Sequence, residues 1–560
     1  MILPFLKRFA VTKIAKSFVD KQSIFDWQRL IEPDRELWNG LLEQSGNLQN
    51  VLLATSMGGY LPGLLLDGLL AVALTLRGAK VHILLCDAAL PACQLCDVYS
   101  FPNQNKFAKN GPKGGMCNRC FSPAYDSLKQ LGVEIHRYTD FIQADSNDRA
   151  EATAKTVGLD SVALFQADGI AIGEHALAGA LRFYARGDLK SETFGEEILN
   201  RYVVASLLTK TVSERVIDTY DIQCASFHHG IYVPQGIVGE VCRKRNVRVV
   251  NWHVAYRKKC FIFSHDHSYH HTFVSEPVSS WTNLTLTKKM DNRISNYLKS
   301  RWYGTKDWIS FQNNPEFDTD TICTKLGIDR NKPRIGMLTS VVWDAQLHYE
   351  SNAFSSMMDW VFVTVDYFRN RPDLQLLVRV HPAEVHGMLQ SRQRVASELL
   401  ERYGRLPKNI IIVPPESTAS TYALMSLCDS VIIYNTKTGI ELSAIGIPVV
   451  VAGEAWIKNK GFSTDAKSPA SYIEILDSLP FGNRLSDETT TLAKKYAYHF
   501  FYRRMIPLDV VKPGRKFHFK IDLNSILELS KGKQRGVDII CDGILNTGPF
   551  TYPAESILDQ

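Results

Sequence analysis

The chain has 560 residues, too many for one hydrophobic core, so its length predicts two domains of ordinary size with short extensions. Hydrophobic residues make up 45% of the chain and charged residues 22%, a composition that is typical of globular proteins and excludes long disordered segments. The formal net charge of +6 is spread along the chain without a long basic run. Nucleic acid is therefore disfavoured as the main partner, and an anionic small substrate is favoured.

The N-terminal segment, residues 1–18, combines basic side chains with apolar ones and lacks a small-residue cleavage site. This pattern predicts a basic amphipathic helix and disfavours a signal peptide. Such a helix could lie peripherally on the inner face of the cytoplasmic membrane or dock on the protein's own surface, and the sequence leaves both open. The longest apolar stretch, residues 51–76, is interrupted by Gly58, Pro62 and Asp67, so we expect no membrane span and a cytoplasmic location.

The first α/β domain is predicted over residues 46–300, after a helical extension over residues 1–45. A predicted strand at residues 50–55 leads through Gly58-Gly59 and an apolar helix to a second strand at residues 80–85, which is how a doubly wound sheet begins. The two glycines either let the backbone approach a ligand or form an ordinary tight turn. Further strands are predicted at residues 133–137, 161–166, 222–226, 247–252 and 260–264.

Polar side chains cluster where two of these strands should end. Asp168 and Glu174 follow the strand predicted at residues 161–166, and His229 follows the one predicted at residues 222–226. Ligands of open α/β sheets bind beyond the carboxyl ends of the strands, so these three residues are candidate catalytic acids or bases. Each could equally be a hydrogen-bonded structural residue.

A cysteine-rich insert is predicted over residues 86–125. Cys93 with Cys96, and Cys117 with Cys120, form two C-x-x-C pairs whose spacing is typical of a structural zinc site. The loop between the pairs has little apolar material, so a bound ion would supply free energy that orders it. An iron–sulfur cluster or unliganded thiols are the alternatives. Cys86 closes a predicted strand and is expected to be a buried thiol that could replace one ligand.

A second α/β series begins near residue 333, after an irregular polar region that predicts an interdomain linker over residues 301–332. Strands are predicted at residues 334–339, 374–380, 409–413, 430–434 and 448–452, with helices between them. This alternation predicts a second Rossmann-like domain over residues 333–486. The remaining residues, 487–560, form a C-terminal extension that could return to cover the first domain.

Two motifs mark the carboxyl edge of the second predicted sheet. The first places Arg379, His381 and Glu384 at the end of a buried strand, with Pro382 restricting the backbone beside the histidine. The second follows the strand at residues 430–434 and opens a helix. Its backbone amides, hydroxyls and lysine would together bind a phosphate, and its acidic residue could reach ribose hydroxyls. The second motif consists of Thr436, Lys437, Thr438, Gly439 and Glu441.

The second half of the chain resembles the nucleotide-binding domain of GT-B glycosyltransferases, especially bacterial capsule and surface-polysaccharide proteins that include Kdo transferases. The residues that carry this resemblance are His381-Pro382, the segment from Thr436 to Glu441, Gly446-Ile447-Pro448 and Pro414-Pro415-Glu416-Ser417. A looser resemblance extends into the first half through His229-Gly230, Pro234-Gln235-Gly236 and Asn251-Trp252. The resemblance implies two Rossmann-like lobes facing each other.

The resemblance also implies an activity. In related CMP-sugar transferases the His-Pro pair and the Ser/Thr pair contact the nucleotide and its phosphate, so His381, Thr436 and Thr438 would do so here. We therefore expect transfer of a sugar from a nucleotide-sugar donor, favouring a CMP-sugar, to a glycan or glycolipid acceptor. The leaving phosphate would be stabilised by protein groups without a catalytic metal. Asp168, Glu174 or His229 would accept the proton of the acceptor hydroxyl.

Two other functions are compatible with the same pattern. Nucleotide-sugar 2-epimerases share the two-lobed architecture and a similar phosphate site, so the fold does not distinguish an isomerase from a transferase. A non-catalytic assembly protein for polysaccharide export could also retain the fold. Conversion of a nucleotide sugar without an acceptor would indicate an epimerase, and the failure of every nucleotide to stabilise the protein would indicate an assembly protein.

Overall fold

A computed structural model describes residues 24–44, 49–112, 114–311, 314–347, 352–514 and 518–557. The chain folds into two compact units. The first contains residues 1–184, 188–269 and 505–552, and the second contains residues 185–187, 270–504 and 553–560. The amphipathic helix predicted over residues 1–18 lies outside the described residues. Among the helices that are described, none is long and apolar enough to cross a bilayer.

Strands and helices alternate through most of the chain. The strands are β1 (Gln49–Ser56), β2 (Ala79–Leu85), β3 (Glu134–Arg137), β4 (Cys224–His228), β5 (Arg248–Val254), β6 (Cys260–His265), β7 (Arg334–Leu338), β8 (Gln375–Arg379), β9 (Ile410–Val413), β10 (Ser430–Ile433), β11 (Val449–Val451), β12 (Thr464–Asp465), β13 (Ile506–Pro507), β14 (Val511–Pro513) and β15 (Phe519–Ile521). The α-helices span Trp27–Ile31, Arg35–Leu42, Leu61–Thr75, Gln104–Asn110, Gly115–Leu128, Ser146–Ala154, Ile172–Tyr184, Gly195–Tyr220, Gln235–Lys244, Tyr269–Ser275, Ser279–Thr282, Lys288–Trp302, Thr319–Leu326, Met357–Arg369, Ala383–His386, Val395–Tyr403, Thr421–Ser426, Thr438–Ser443, Pro469–Asp477, Asp487–Tyr498 and Arg535–Asn546.

The first unit is built on a seven-stranded sheet in the order β13-β6-β5-β4-β1-β2-β3. The strands from β5 to β3 in this order are parallel, whereas β6 and β13 pair antiparallel at one edge. The helix Leu61–Thr75 is buried along its whole length, which explains why its sequence is apolar on every side. The C-terminal helix Arg535–Asn546 packs on the helix Leu61–Thr75. Arg77, just beyond the end of Leu61–Thr75, forms an ion pair with Asp538 at 2.6 Å.

The second unit contains a six-stranded parallel sheet in the order β12-β11-β10-β7-β8-β9. The chain runs from β7 outward to β9 and then returns to β10 on the other side of β7. The strand order therefore reverses between β7 and β10. Crevices that bind ligands in open α/β sheets form at such a reversal, outside the carboxyl ends of the strands.

The fold confirms an α/β architecture with parallel sheets, but one predicted strand is wrong. Residues 161–166 form a 3-10 turn over Val162–Leu164, in which Val162 is buried while Leu164 is 87% exposed. A short apolar run can serve a strand or a turn equally well, and here only one of its side chains enters the core. Asp168 therefore does not lie at the end of a strand.

The unit boundaries also differ from the predicted domains. Residues 301–332, predicted as a linker, and residues 270–300, predicted as part of the first domain, belong to the second unit. The helix Lys288–Trp302 is polar overall, but it buries Ile294, Tyr297 and Leu298, so composition alone hid its packing. The predicted C-terminal extension is divided. Residues 487–504 stay with the second unit, and residues 505–552 return to the first, where β13 pairs with β6.

Candidate functional site

The carboxyl edge of the second sheet gathers the two predicted motifs around the end of β7. Leu338 at the end of β7 pairs with Arg379 of β8 on one side and with Ile433 of β10 on the other, so the three strands end level. The hydroxyl of Thr339 accepts from the backbone N–H of His381 at 3.1 Å. The hydroxyl of Ser340 donates to the side chain of Asn435 at 2.6 Å. Consecutive residues after β7 thus connect the two motifs.

His381 is held in one tautomer. Its Nδ1 accepts from the backbone N–H of Ala383 at 3.1 Å, so a neutral imidazole carries its hydrogen on Nε2. Burial, together with the positive charges of Lys437 and Arg379, lowers the pKa of His381 to about 4. The ring of Phe311 contacts the imidazole edge to face, with 5.6 Å between ring centroids. His381 is therefore a neutral Nε2–H donor near neutral pH, within electrostatic range of Lys437.

The segment after β10 supplies hydroxyls and a cation. The backbone N–H of Thr438 and the side chain of Thr436 are 3.4 Å apart, and the two threonine hydroxyls are 3.3 Å apart. Lys437 is half-buried, and burial is the main cause of its lowered pKa. Gly439 permits close packing of this short helix, because an added Cβ would lie 2.7 Å from Ile433 and from Ile457. The segment thus presents Thr436, Lys437 and Thr438 beside His381.

Arg379 and Glu384 are buried and bond to backbone groups around this site. The Arg379 guanidinium is buried and donates to the carbonyls of Pro414 and Ser417, at 2.5 and 3.3 Å. It therefore fixes the loop after β9. Glu384 is fully buried and accepts from the backbone N–H of Val395 at 3.3 Å. Burial raises the pKa of Glu384 to about 7.

Glu441 belongs to a buried ion network. Its carboxylate accepts from Arg301 at 2.9 Å, from Tyr422 at 2.5 Å and from Lys437 at 3.2 Å. Arg301 also pairs with Asp307, and both of these side chains are only 6% exposed. The contact between Glu441 and ribose hydroxyls stays a prediction, and the bonds observed for its carboxylate are all to protein groups. The carboxylate orients Lys437.

Several members of this second-unit site were not recognised in the sequence. Arg301 lies 140 residues before Glu441 and within the segment that composition predicted as a linker. Thr339, Ser340 and Asn435 are single polar residues at strand ends, and their position beyond buried strands was the signal that could have identified them. Tyr422 begins a short helix and gave no such signal.

The three catalytic candidates of the first unit differ in exposure and in their place in the fold. Asp168 lies on an exposed turn and pairs with Lys210 at 2.8 Å, and this pairing lowers the pKa of its carboxyl. A carboxylate of lowered pKa is a weaker base. Glu174 is half-buried in the first turn of the helix Ile172–Tyr184. Of the three, only His229 directly follows a strand of the observed sheet.

His229 lies in a cluster of aromatic rings at the carboxyl ends of β4 and β5. Its centroid is 5.4 Å from that of His228 and 5.2 Å from that of His253, and Tyr232 and Tyr269 complete the cluster. His253 was not predicted as a site residue. Its Nδ1 is 2.6 Å from the carbonyl of Val254, so Nδ1 donates and the neutral ring carries its lone pair on Nε2. His253 therefore has the protonation pattern of a general base.

The predicted zinc ligands also lie at the carboxyl edge of the first sheet. Cys93, Cys96, Cys117 and Cys120 line one cavity together with Cys86, which follows β2. The neighbouring Gly58 serves packing, because an added Cβ there would lie 2.3 Å from Ala124 and 2.5 Å from the carbonyl of Cys120. The turn after β1 is thus filled by the helix that carries two of the cysteines.

Comparisons with known proteins place this geometry in context. Residues 269–474 match the model of a family described as capsule polysaccharide biosynthesis protein. No curated protein sequence matches the chain. Among solved structures, KpsC β-Kdo 2,4 transferase of Thermosulfurimonas dismutans is 11% identical, with 49% of this chain and 79% of that chain covered and a TM-score of 0.34. The KpsC β-Kdo 2,7 transferase of the same organism is 14% identical, with coverages of 57% and 88% and a TM-score of 0.31.

A nucleotide-sugar isomerase is among the similar structures as well. UDP-GlcNAc 2-epimerase from Neisseria meningitidis is 8% identical, with 86% of this chain and 97% of that chain covered and a TM-score of 0.23. The family match includes β7 to β12 and the helices that position His381 and Thr436 to Glu441. Residues 269–474 of this chain are thus similar to the capsule polysaccharide biosynthesis protein family, in agreement with the resemblance inferred from the sequence.

Proposed function

We propose that this protein is a glycosyltransferase that moves a sugar from a nucleotide-sugar donor, with a CMP-sugar favoured, to a surface or capsular polysaccharide acceptor. The donor phosphate binds at the carboxyl edge of the second sheet, among His381, Thr436, Lys437 and Thr438. The reaction takes place in the cytoplasm, where nucleotide sugars serve as activated sugar donors. The family match over residues 269–474 supports a role in capsule polysaccharide synthesis.

One observation carries this proposal: a neutral Nε2–H donor and a half-buried ammonium lie on two loops that the residues after β7 connect. The backbone N–H of Ala383 keeps the hydrogen of His381 on Nε2. Glu441 fixes the ammonium of Lys437, and Ser340 fixes the loop that precedes it through Asn435. Donors that are already oriented stabilise a developing anion without reorganising during the reaction.

The chemistry follows from where charge develops. When the bond between the donor sugar and its phosphate breaks, negative charge grows on the leaving phosphate oxygens. Lys437 then provides a positive charge, and His381 and the threonine hydroxyls provide hydrogen bonds to those oxygens. These interactions strengthen as the charge grows, so they lower the barrier instead of merely binding the substrate.

The acceptor hydroxyl must lose a proton in the same reaction. His253 is the candidate in the first unit with the fitting tautomer, because its Nδ1 donates to the Val254 carbonyl and its Nε2 carries the lone pair. Its neighbour His229 belongs to the same ring cluster, with 5.2 Å between their centroids. We assign His253 as the base and His229 as a residue that positions its ring.

Nucleotide binding tests the donor site directly. Calorimetric titration of the full chain with CMP, UDP, GDP and ADP should give one preferred nucleotide. His381→Ala and Lys437→Gln should each weaken it by about 10- to 100-fold, since each removes a hydrogen bond with a charged partner, worth about 1.5–3 kcal/mol. The matched controls are His386→Ala and Lys467→Gln, which change exposed side chains of the same unit and should leave affinity unchanged.

The remaining outcomes separate this function from its competitors. Equal affinities in the parent and in both site variants would contradict the donor site. Conversion of the nucleotide sugar to an epimer without an acceptor would identify an isomerase instead of a transferase. If no nucleotide raised the melting temperature at concentrations far above a micromolar Kd, the protein would be a non-catalytic member of the family.

A further inference from the structure

Five cysteines from three segments of the first unit converge on one cavity of about 30 Å³. Cys86 follows β2, Cys93 and Cys96 lie on the next loop, and Cys117 and Cys120 belong to the helix Gly115–Leu128. The other side chains around the cavity include Met57, Leu90 and Met116, so its walls are almost entirely apolar or sulfur-bearing. Residues around the cavity come from β1, from the segment after β2 and from the helix Gly115–Leu128. The tertiary fold therefore brings them together.

The first C-x-x-C pair has the separation of zinc ligands. The Sγ atoms of Cys93 and Cys96 are 3.9 Å apart. Two thiolates at about 2.3 Å from one zinc ion in a tetrahedral site lie about 3.8 Å apart, so the pair already matches one edge of the tetrahedron. Neither residue forms a disulfide.

The second pair approaches the same cavity from the helix. Cys117 and Cys120 are three residues apart and therefore lie on one helical face. The Sγ of Cys120 accepts from the backbone N–H of Gly59 at 3.0 Å, a contact that stabilises a bound thiolate. Cys117 donates to the carbonyl of Pro112 at 3.4 Å and must exchange this weak contact for the metal. Among the described residues no three of the thiols lie mutually within 4.8 Å, so binding draws the second pair toward the first.

The turn after β1 is shaped to let the second pair come close. Gly58 leaves no room for a Cβ, because an added atom would overlap Ala124 and the carbonyl of Cys120. Gly111, just before the helix, has a positive φ of 61° and lies against the carbonyl of Pro91. Two glycines therefore bring the helix and the preceding loop against the strand end and the first cysteine pair.

We propose that Cys93, Cys96, Cys117 and Cys120 bind one structural zinc ion at the carboxyl edge of the first sheet. Cys86 lines the same cavity but belongs to neither C-x-x-C pair, and it remains a thiol outside the proposed ligand set. The ion ties the loop after β2 and the helix Gly115–Leu128 to the end of β1. Metal binding then contributes to the folding free energy of this part of the unit.

Metal analysis of the full chain tests the proposal. Protein purified under reducing conditions without oxygen should contain one zinc ion per chain and no inorganic sulfide. Substitution with Co²⁺ should give the intense visible bands of a tetrahedral thiolate site. Iron with sulfide and a brown colour would overturn zinc as the metal. Absence of any metal after purification and zinc addition would overturn the site.

Variants test the ligand set. Cys93→Ser and Cys117→Ser should each lose the zinc, whereas Cys86→Ser in the same cavity should retain it. Loss of zinc from Cys86→Ser with retention in Cys117→Ser would overturn the assignment. If a ligand variant does not fold, alkylation of the parent protein supplies the same answer: the four thiols should resist iodoacetamide until a chelator removes the metal. Equal alkylation with and without the chelator would contradict zinc binding.

Discussion

The carboxyl edges of the two sheets lie at the same kind of reversal in strand order but carry different types of side chain. In each sheet the strand order reverses beside the first strand, between β1 and β4 in one unit and between β7 and β10 in the other. The edge of the second unit carries Lys437 with hydroxyls, whereas that of the first carries clustered cysteines and imidazole rings. The fold therefore selects where a site forms, and the loop residues select what it binds.

The two units also differ in how they bury charge. In the second unit, Glu441 satisfies both Arg301 and Lys437 beneath the proposed phosphate site. In the first unit, the buried carboxyl of Asp67 accepts from two neutral donors, Thr55 at 2.8 Å and Trp252 at 3.1 Å, and burial raises its pKa to about 7. The cation of the proposed phosphate site thus has its own counter-ion, whereas the first unit buries a carboxyl that is bonded to neutral donors.

The largest expected effect comes from removing that counter-ion. Glu441→Ala leaves Arg301 and Lys437 without their shared carboxylate and should lower the free energy of unfolding by about 3–5 kcal/mol. Chemical denaturation measures it, with the exposed Glu401→Ala as the control. A loss as small as that of the control would mean that the network does not stabilise the second unit.

A catalytic test separates the two edges. His253→Ala should lower kcat by about 10²- to 10⁴-fold and leave the nucleotide Kd unchanged, because a general base acts on the acceptor and not on the donor. His381→Ala should instead weaken nucleotide binding as well as turnover. Initial rates and calorimetry on both variants measure this split. Weaker nucleotide binding in His253→Ala, or its normal turnover, would contradict the assignment.

The buried carboxyls give a pH test of about 1–3 kcal/mol. Burial raises the pKa of Glu384 to about 7, above its unfolded value of 4.5, so the folded state binds more protons between these pH values. Its stabilising contribution is therefore present below pH 4.5 and is lost as pH rises through 7. Glu384→Gln should remove this loss and be more stable than the parent at pH 8, but not at pH 4.

Asp67→Asn is the counterpart in the first unit. With a pKa of about 7, Asp67 is protonated at pH 5 and ionised at pH 8. An amide can still accept from Trp252 and can donate to the Thr55 hydroxyl, so the variant should match the parent at pH 5 and be more stable at pH 8, by about 1–3 kcal/mol. Denaturation curves at both pH values compare the two variants. Identical pH profiles for Glu384→Gln and the parent would contradict the raised pKa.

The smallest effect is expected at Asp168. Its carboxylate is 81% exposed and pairs with Lys210 on the surface. Asp168→Asn should change the free energy of unfolding by less than about 0.5 kcal/mol and leave turnover unchanged. A large loss of kcat would restore Asp168 as the base and would displace His253.

The sequence predicted the strands that are apolar, short and bounded by turn residues, because burial on both faces of a parallel sheet leaves that local signature. It also located His381 and Thr436 to Glu441, since each follows such a strand directly. It failed at residues 161–166, where the same local signature belongs to a turn with one buried side chain. It also assigned residues 270–300 to the first domain, whereas the polar helix Lys288–Trp302 buries a narrow apolar stripe and belongs to the second unit.

Local sequence therefore determined which residues lie at the ends of strands and which cysteines form the two C-x-x-C motifs. Only the tertiary structure decided that Glu441 binds Arg301 and that Arg379 fixes the loop after β9. It also decided that His253 has the tautomer of a general base. These outcomes depend on partners brought close by the sheet from distant parts of the chain. A hydrogen bond or ion pair between such partners leaves no periodic pattern in the sequence.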